Sequence, residues 1–255
     1  MLSPEPVAAP PPARRIWGFW PTAGFSAAIL TTYFAAQIII SLIIFAFRFT
    51  SSGLSLEEAL KKLATDGFTA SIAVIGSVLL GTALVAVFIR LRGGTSFAEY
   101  VGFKKPGRKT ILLSLGVFIV MLVLITFISN LAGDQGDSEF SAELYRSSIF
   151  PPLLWLAVVF VGPFFEELFF RGFLFVGLRA SRLGVITTIL LTSVLWAALH
   201  LQYNLAGMSQ ILLMGFVLGT VRHKTDNLWS SLLIHILWNG AAMVATAVYV
   251  SQNAG

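Results

Sequence analysis

Polar residues in this 255-residue chain fall in short intervals between long, unbroken apolar runs. The runs cover about 22–47, 69–89, 110–132, 151–177, 184–202, 207–221 and 228–250. Each is close to the ~20 residues that a helix needs to cross a hydrocarbon core, with allowance for tilt. Continuous runs imply helices, because a membrane β-barrel alternates over ~10-residue strands instead. The pattern predicts an all-α, polytopic transmembrane helical bundle of seven spans. The fourth run is the longest and is expected to end in an interfacial stretch from Gly177 to Arg182.

The intervals add detail. Residues 1–21 carry Pro4, Pro6 and Pro10 to Pro12 and are expected to form a disordered tail. Residues 22–109 are expected to hold the N-terminal membrane helices and loops, and 110–250 the functional core. Between the first two runs, Ser55 and Glu58 have capping-box spacing, and Leu56, Leu60 and Leu63 recur at helical spacing. This predicts a short amphipathic helix on the outer membrane surface. The interval 134–146, with Asp134, Asp137, Glu139 and Glu143, reads as a solvated outside loop. The basic stretch 104–109 reads as an anchor to anionic lipid.

Composition narrows the function classes. Hydrophobic residues make up 56% of the chain, charged residues 11%, and mean hydropathy is +0.85, which excludes an ordinary soluble enzyme, a disordered chain and a repeat solenoid. The absence of cysteine excludes disulfides, a thiol nucleophile, a Cys-zinc site and an iron–sulfur cluster. The net charge of +5 arises mainly from short loops, so the bilayer is the expected partner and nucleic acid is not. With the N-terminus inside, the inside intervals hold Arg14, Arg15, Arg90, Arg92, Lys104, Lys105, Arg108, Lys109, Arg179, Arg182, Arg222 and Lys224. The outside intervals hold Arg48, Lys61, Lys62 and Arg146. This threefold bias predicts a cytoplasmic N-terminus.

Three charges remain inside an apolar run: Glu166, Glu167 and Arg171. Each costs ~2.5–3.5 kcal/mol at the centre of a membrane helix. Glu167 and Arg171 stand at i,i+4 and can pair, a structural role. Glu166 points about 100° away and has no partner nearby in sequence, which suits a general acid or base. The plainer alternative is a structural ion pair, or a helix outside the membrane. Pro163 should bend the helix just before the glutamates.

Of three histidines, His223 sits beside Arg222 and Lys224 and reads as a surface residue. His200 follows Trp196 by four residues on the fifth run, and Asn239 follows His235 by four on the seventh. A lone membrane histidine is often a satisfied core group. Two histidines, an asparagine and an unpaired glutamate on separate helices point to a site. Imidazole can hold a proton or a metal, and asparagine can donate to an oxyanion. The depths conflict, however. His200 lies near the outer end of its run, and His235 only about two turns from the inner end of its own.

These residues resemble the motifs of the CPBP family, the type II CAAX prenyl endopeptidase-like intramembrane proteases. Glu-Glu-x-x-x-Arg matches Glu166, Glu167 and Arg171; Phe-x-x-x-His matches Trp196 to His200 with Trp for Phe; His-x-x-x-Asn matches His235 and Asn239. The likeness covers roughly 110–250, the expected protease core. Family members often have eight spans, so the resemblance allows seven or eight here. It implies an endopeptidase acting on membrane-associated proteins or peptides. Glu166 and His200 would activate water, His235 and Asn239 would stabilise the oxyanion, and Glu167 with Arg171 would hold the site in shape. A bacterial cytoplasmic membrane is the expected location. Metal dependence stays open. The chain lacks His-Glu-x-x-His, yet Glu166, His200 and His235 could supply three zinc ligands. Two alternatives accompany this reading: a non-catalytic scaffold or bacteriocin-immunity-type protein of the same fold, and a proton-coupled transporter.

Overall fold

A computed structural model describes residues 15–49, 53–132 and 138–253. Most of the expected tail, including Arg14, lies outside the described residues, as do Asp134 and Asp137. The described residues form helices and no strand: α1 (Phe19–Phe49), α2 (Leu56–Thr65), α3 (Gly67–Arg92), α4 (Phe97–Val101), α5 (Arg108–Ala132), α6 (Ser138–Ser147), α7 (Pro151–Arg179), α8 (Gly184–Ala198), α9 (Leu205–Thr225) and α10 (Leu228–Gln252).

Six of these, α1, α3, α5, α7, α9 and α10, are long and apolar enough to cross a membrane, and α8 is a shorter apolar helix. The chain is a multi-pass helical bundle. The fifth predicted run, 184–202, stops early because the chain turns through His200, Gln202 and Tyr203, and Asn204 then caps α9 by accepting from the Gly207 N–H.

The middle of the bundle belongs to α7, whose residues from Glu167 to Leu178 are all buried. Phe165, Phe169 and Phe173 recur every fourth residue and carry its aromatic contacts. Phe165 stacks on Tyr33 of α1 with ring centroids 4.5 Å apart, and Phe173 lies against Tyr100 of α4 at 5.9 Å. Gly81 lets α3 come close: a methyl group there would overlap the Phe165 ring. The outward faces of α1 and α5 keep residues such as Ile38, Leu42, Val120 and Phe127 exposed, as lipid contact demands.

Two junctions tie the ends. At one, Asp66 ends α2 and caps α3 by accepting from the Thr69 N–H at 2.8 Å, and it pairs with Arg48. The Ser55–Glu58 capping box opens α2, whose Leu56 and Leu60 stay exposed. At the other end, Arg222 corrects its expected place as a loop charge. It is fully buried in the last turn of α9 and donates to the carbonyls of Arg171 and Val101 at 3.1 and 3.0 Å. It also pairs with Asp226 at 3.2 Å, four residues on, and Asp226 meets Lys104 at 2.9 Å and Arg179 at 3.3 Å. Burial works to raise the Asp226 carboxyl. Hydrogen bonds from Lys104 and Arg222, and their charges, outweigh it and hold the group well below the usual carboxylate range.

Two further expectations change. Residues 138–147 of the expected acidic loop form α6, because Phe140, Ala142, Leu144 and Tyr145 give it an inward side; Ala142 is fully buried. Ser147 accepts from the Gly67 N–H at 2.9 Å and donates to the Thr65 carbonyl at 2.6 Å, locking α6 to the start of α3. His223 is half-buried rather than a surface residue, and its Nδ1 is enclosed without a hydrogen-bond partner.

Candidate active site

The site grows from the backbone of α7. Pro163 does not break the helix, which stays continuous from Pro151 to Arg179. Proline lacks an N–H and its ring crowds the carbonyl four residues back. The chain accommodates this by widening to π-helix at Leu156–Val161, where the Gly162 N–H reaches back to the Ala157 carbonyl, and again at Glu167–Leu174. Glu166 ends the short α-helical piece between them. Such π-turns are frequent at functional sites.

Glu167 and Arg171 pair at 3.1 Å, as their spacing predicts, and both are wholly buried. The pair extends through space. His235 places Nδ1 3.1 Å from the same Glu167 oxygen, and Arg171 donates to the Gly215 carbonyl at 3.4 Å. A carboxylate only accepts, so Nδ1 of His235 carries the proton and Nε2 faces away. The remaining Glu167 oxygen and Arg171 Nε are buried without a hydrogen-bond partner.

Glu166 has surroundings of another kind. Its side chain keeps 25% of its surface exposed, and its Oε2 lies 3.9 Å from His235 Nε2. That oxygen also accepts a 2.6 Å hydrogen bond from the Trp196 indole N–H, a partner thirty residues distant that spacing could not reveal. His200, in the turn after α8, points Nδ1 at the Trp196 carbonyl at 2.8 Å. A carbonyl also only accepts, which leaves Nε2 of neutral His200 as a lone-pair acceptor. Asn239 donates to the Val158 carbonyl at 2.9 Å, inside the first π-segment, and keeps a second amide hydrogen.

Trp196 resolves the depth conflict. Its indole makes edge contacts with the rings of both His200 and His235, at 5.3 and 5.2 Å. The helix starts are also unequal. Leu228, Ser230 and Ser231 at the beginning of α10 are fully buried, whereas α8 begins in a partly exposed turn. The two imidazoles therefore meet on one indole although their helices begin in different surroundings.

Glu166, His200, His235 and Asn239 all line one cavity of about 490 Å³, with Gln210, Thr246 and Tyr249 farther along its wall. A second, more apolar cavity of about 530 Å³ lies between α7 and the helices α1, α3 and α6 and is lined by Tyr33, Phe34, Val74, Phe140, Leu144 and Phe165 among others. The two share Ser141, Glu166, Trp196, His200, Tyr203 and Asn239, so Glu166 stands where they meet. Sequence reasoning missed Trp196 as a donor and the contribution of α1 and α6.

As arranged, Glu166, His200 and His235 do not form a ligand set. Among the described residues no group of three His, Cys, Asp or Glu side chains is placed to hold a metal ion. One Glu166 oxygen is already taken by the indole N–H.

Residues 148–241 match the family described as Type II CAAX prenyl endopeptidase Rce1-like. This segment is an Rce1-like domain of the CPBP family. It contains every site residue from Glu166 to Asn239. No curated protein and no solved structure matches the chain. The Rce1-like domain is one of intramembrane proteases, and here it comprises α7 to α9, the first half of α10 and the last residues before α7. The Rce1-like domain supplies most of the apolar cavity's wall, and α1, α3 and α6, which precede the domain, supply the rest of it apart from Ala64 and Met243.

Proposed function

We propose that the protein is an intramembrane endopeptidase that hydrolyses peptide bonds of membrane-associated proteins or peptides with a side-chain-activated water. The observation that carries this reading is the junction of two cavities at Glu166, ringed by His200, His235 and Asn239. A peptide lying across the junction would present its carbonyl carbon to a water held between Glu166 and the Nε2 of His200. Glu166 takes the proton as the water oxygen bonds to carbon. His235 in its doubly protonated form, with Glu167 as counter-charge, and the second amide hydrogen of Asn239 would receive the developing oxyanion. Collapse of the tetrahedral species breaks the C–N bond, and the proton held by Glu166 passes to the leaving nitrogen. Glu167 and Arg171 hold His235 in place. No step is routed through a metal, because the donors do not converge on one point. In this reading the N-terminus is cytoplasmic, a topology that the excess of Lys and Arg in alternate loops supports.

The test uses the full chain in detergent with an internally quenched apolar peptide, offered with and without a C-terminal farnesylated cysteine. Cleavage of either probe is expected. Glu166→Ala should lower turnover at least 10²-fold, with the melting temperature unchanged, and His200→Ala should lower it similarly. Full turnover in Glu166→Ala would end the proposal and favour a binding role. Chelation with 1,10-phenanthroline should leave the rate unchanged. A loss restored by added zinc would show that the ligands rearrange around a metal.

A further inference from the structure

The indole of Trp196 meets four charged or titratable side chains of the site: Glu166, His200, His235 and Arg171. Its N–H donates to Glu166 at 2.6 Å, its edge meets His200 and His235, and the Arg171 guanidinium lies over its face at 4.6 Å from the centroid. It is also one of the largest fully buried side chains, with 1% exposure. A ring so enclosed cannot turn away, so its N–H direction is fixed by packing.

From this we infer that Trp196 is a positioning residue: it pins Oε2 of Glu166 with its indole N–H, which leaves Oε1 as the oxygen available to water. This rests on the proteolytic reading of the same cavity. Two observations support it. The donor is bound to one carboxylate oxygen, and no described hydrogen bond engages the other. The Arg171 guanidinium lies over the indole face while Glu166 is held at the in-plane N–H, so one buried ring contacts both groups and fixes the carboxylate off the face that Arg171 occupies.

The experiment compares three residues at position 196: Trp, Phe, and benzothienylalanine introduced by nonsense suppression, which keeps the indole outline and lacks the N–H. Both replacements should lower kcat roughly 10- to 100-fold, the effect of losing one hydrogen bond to a charged group, and leave KM unchanged. In parallel, ¹⁵N-labelled tryptophan gives an indole resonance assigned to Trp196 by its loss in Trp196→Phe. That resonance should move upfield in Glu166→Ala. Wild-type kcat with benzothienylalanine would overturn the positioning role, because shape alone would suffice. An indole resonance unmoved by Glu166→Ala would overturn the contact itself. If the wild type cleaves neither probe, the proteolytic reading falls, and the pinning of Glu166 is decided by the resonance alone.

Discussion

Glu166 and Glu167 are adjacent in the chain and inhabit opposite environments. Glu167 is sealed: it has no exposed surface and shares one oxygen between Arg171 and His235. Glu166 opens onto two cavities and is held by a single neutral donor, with a quarter of its side chain exposed. The first carboxylate is neutralised where it stands, so its charge serves packing. The second keeps room for a water, with His235 Nε2 3.9 Å away and beyond hydrogen-bond reach, so its charge can act on something that enters. Proximity in sequence thus says little about role. What separates the two is which face of one helix meets protein and which meets space.

That contrast can be broken most severely from the sealed side. Arg171→Met leaves the buried Glu167 without its guanidinium partner and should cost about 3–5 kcal/mol, seen as a large drop in detergent-solubilised melting temperature along with activity. Adding Glu167→Gln to Arg171→Met should recover most of the stability while turnover stays low, because His235 has lost its counter-charge. If the single variant melts like wild type, the pair is not the structural member of the two. Next in size is Asn239→Ala, which removes one proposed oxyanion donor and should reduce kcat about 10²-fold with KM little changed; an increase in KM alone would move Asn239 to substrate binding. The smallest effect belongs to the distant clasp. The folded Asp226 carboxyl ionises below its ordinary value, so its stabilising contribution is present at neutral pH and is lost as pH falls below about 4 toward the folded value. Asp226→Asn should therefore lower the melting temperature slightly at pH 7, and the gap to wild type should close on acidification. A gap that widens there would reverse the sign of this linkage.

Much of this was legible in the sequence, for a definite reason. A hydrocarbon core penalises every unpaired polar group, so long apolar runs mark the spans, and Glu166, Glu167 and Arg171 stand out against them. Local spacing also carried the Glu167–Arg171 pair and the Ser55–Glu58 capping box, since both lie within one turn of helix. What spacing cannot carry is contact across the bundle. Trp196 meets Glu166 from thirty residues away, and His235 meets Glu167 from sixty-eight. Arg222 looked like a loop charge because the contacts that bury it are backbone carbonyls of α4 and α7, distant in sequence, and only its pairing with Asp226 lies within helical spacing. The early end of α8 and the buried start of α10 were likewise hidden, because hydropathy reports apolar length and not where a helix sits in depth.

The widened turns of α7 carry a last consequence. A π-helical stretch holds one residue more than an α-helix of equal hydrogen-bonded span, so deleting a single residue within Glu167–Leu174 would let the segment relax into ordinary α-geometry. Residues beyond the segment would then keep roughly their places, because the widened turns absorb the missing residue. A deletion in the α-helical turns outside the segment has no such slack and would rotate everything after it by about 100°. A one-residue deletion within Glu167–Leu174 should therefore cost less stability than one at Phe175–Arg179.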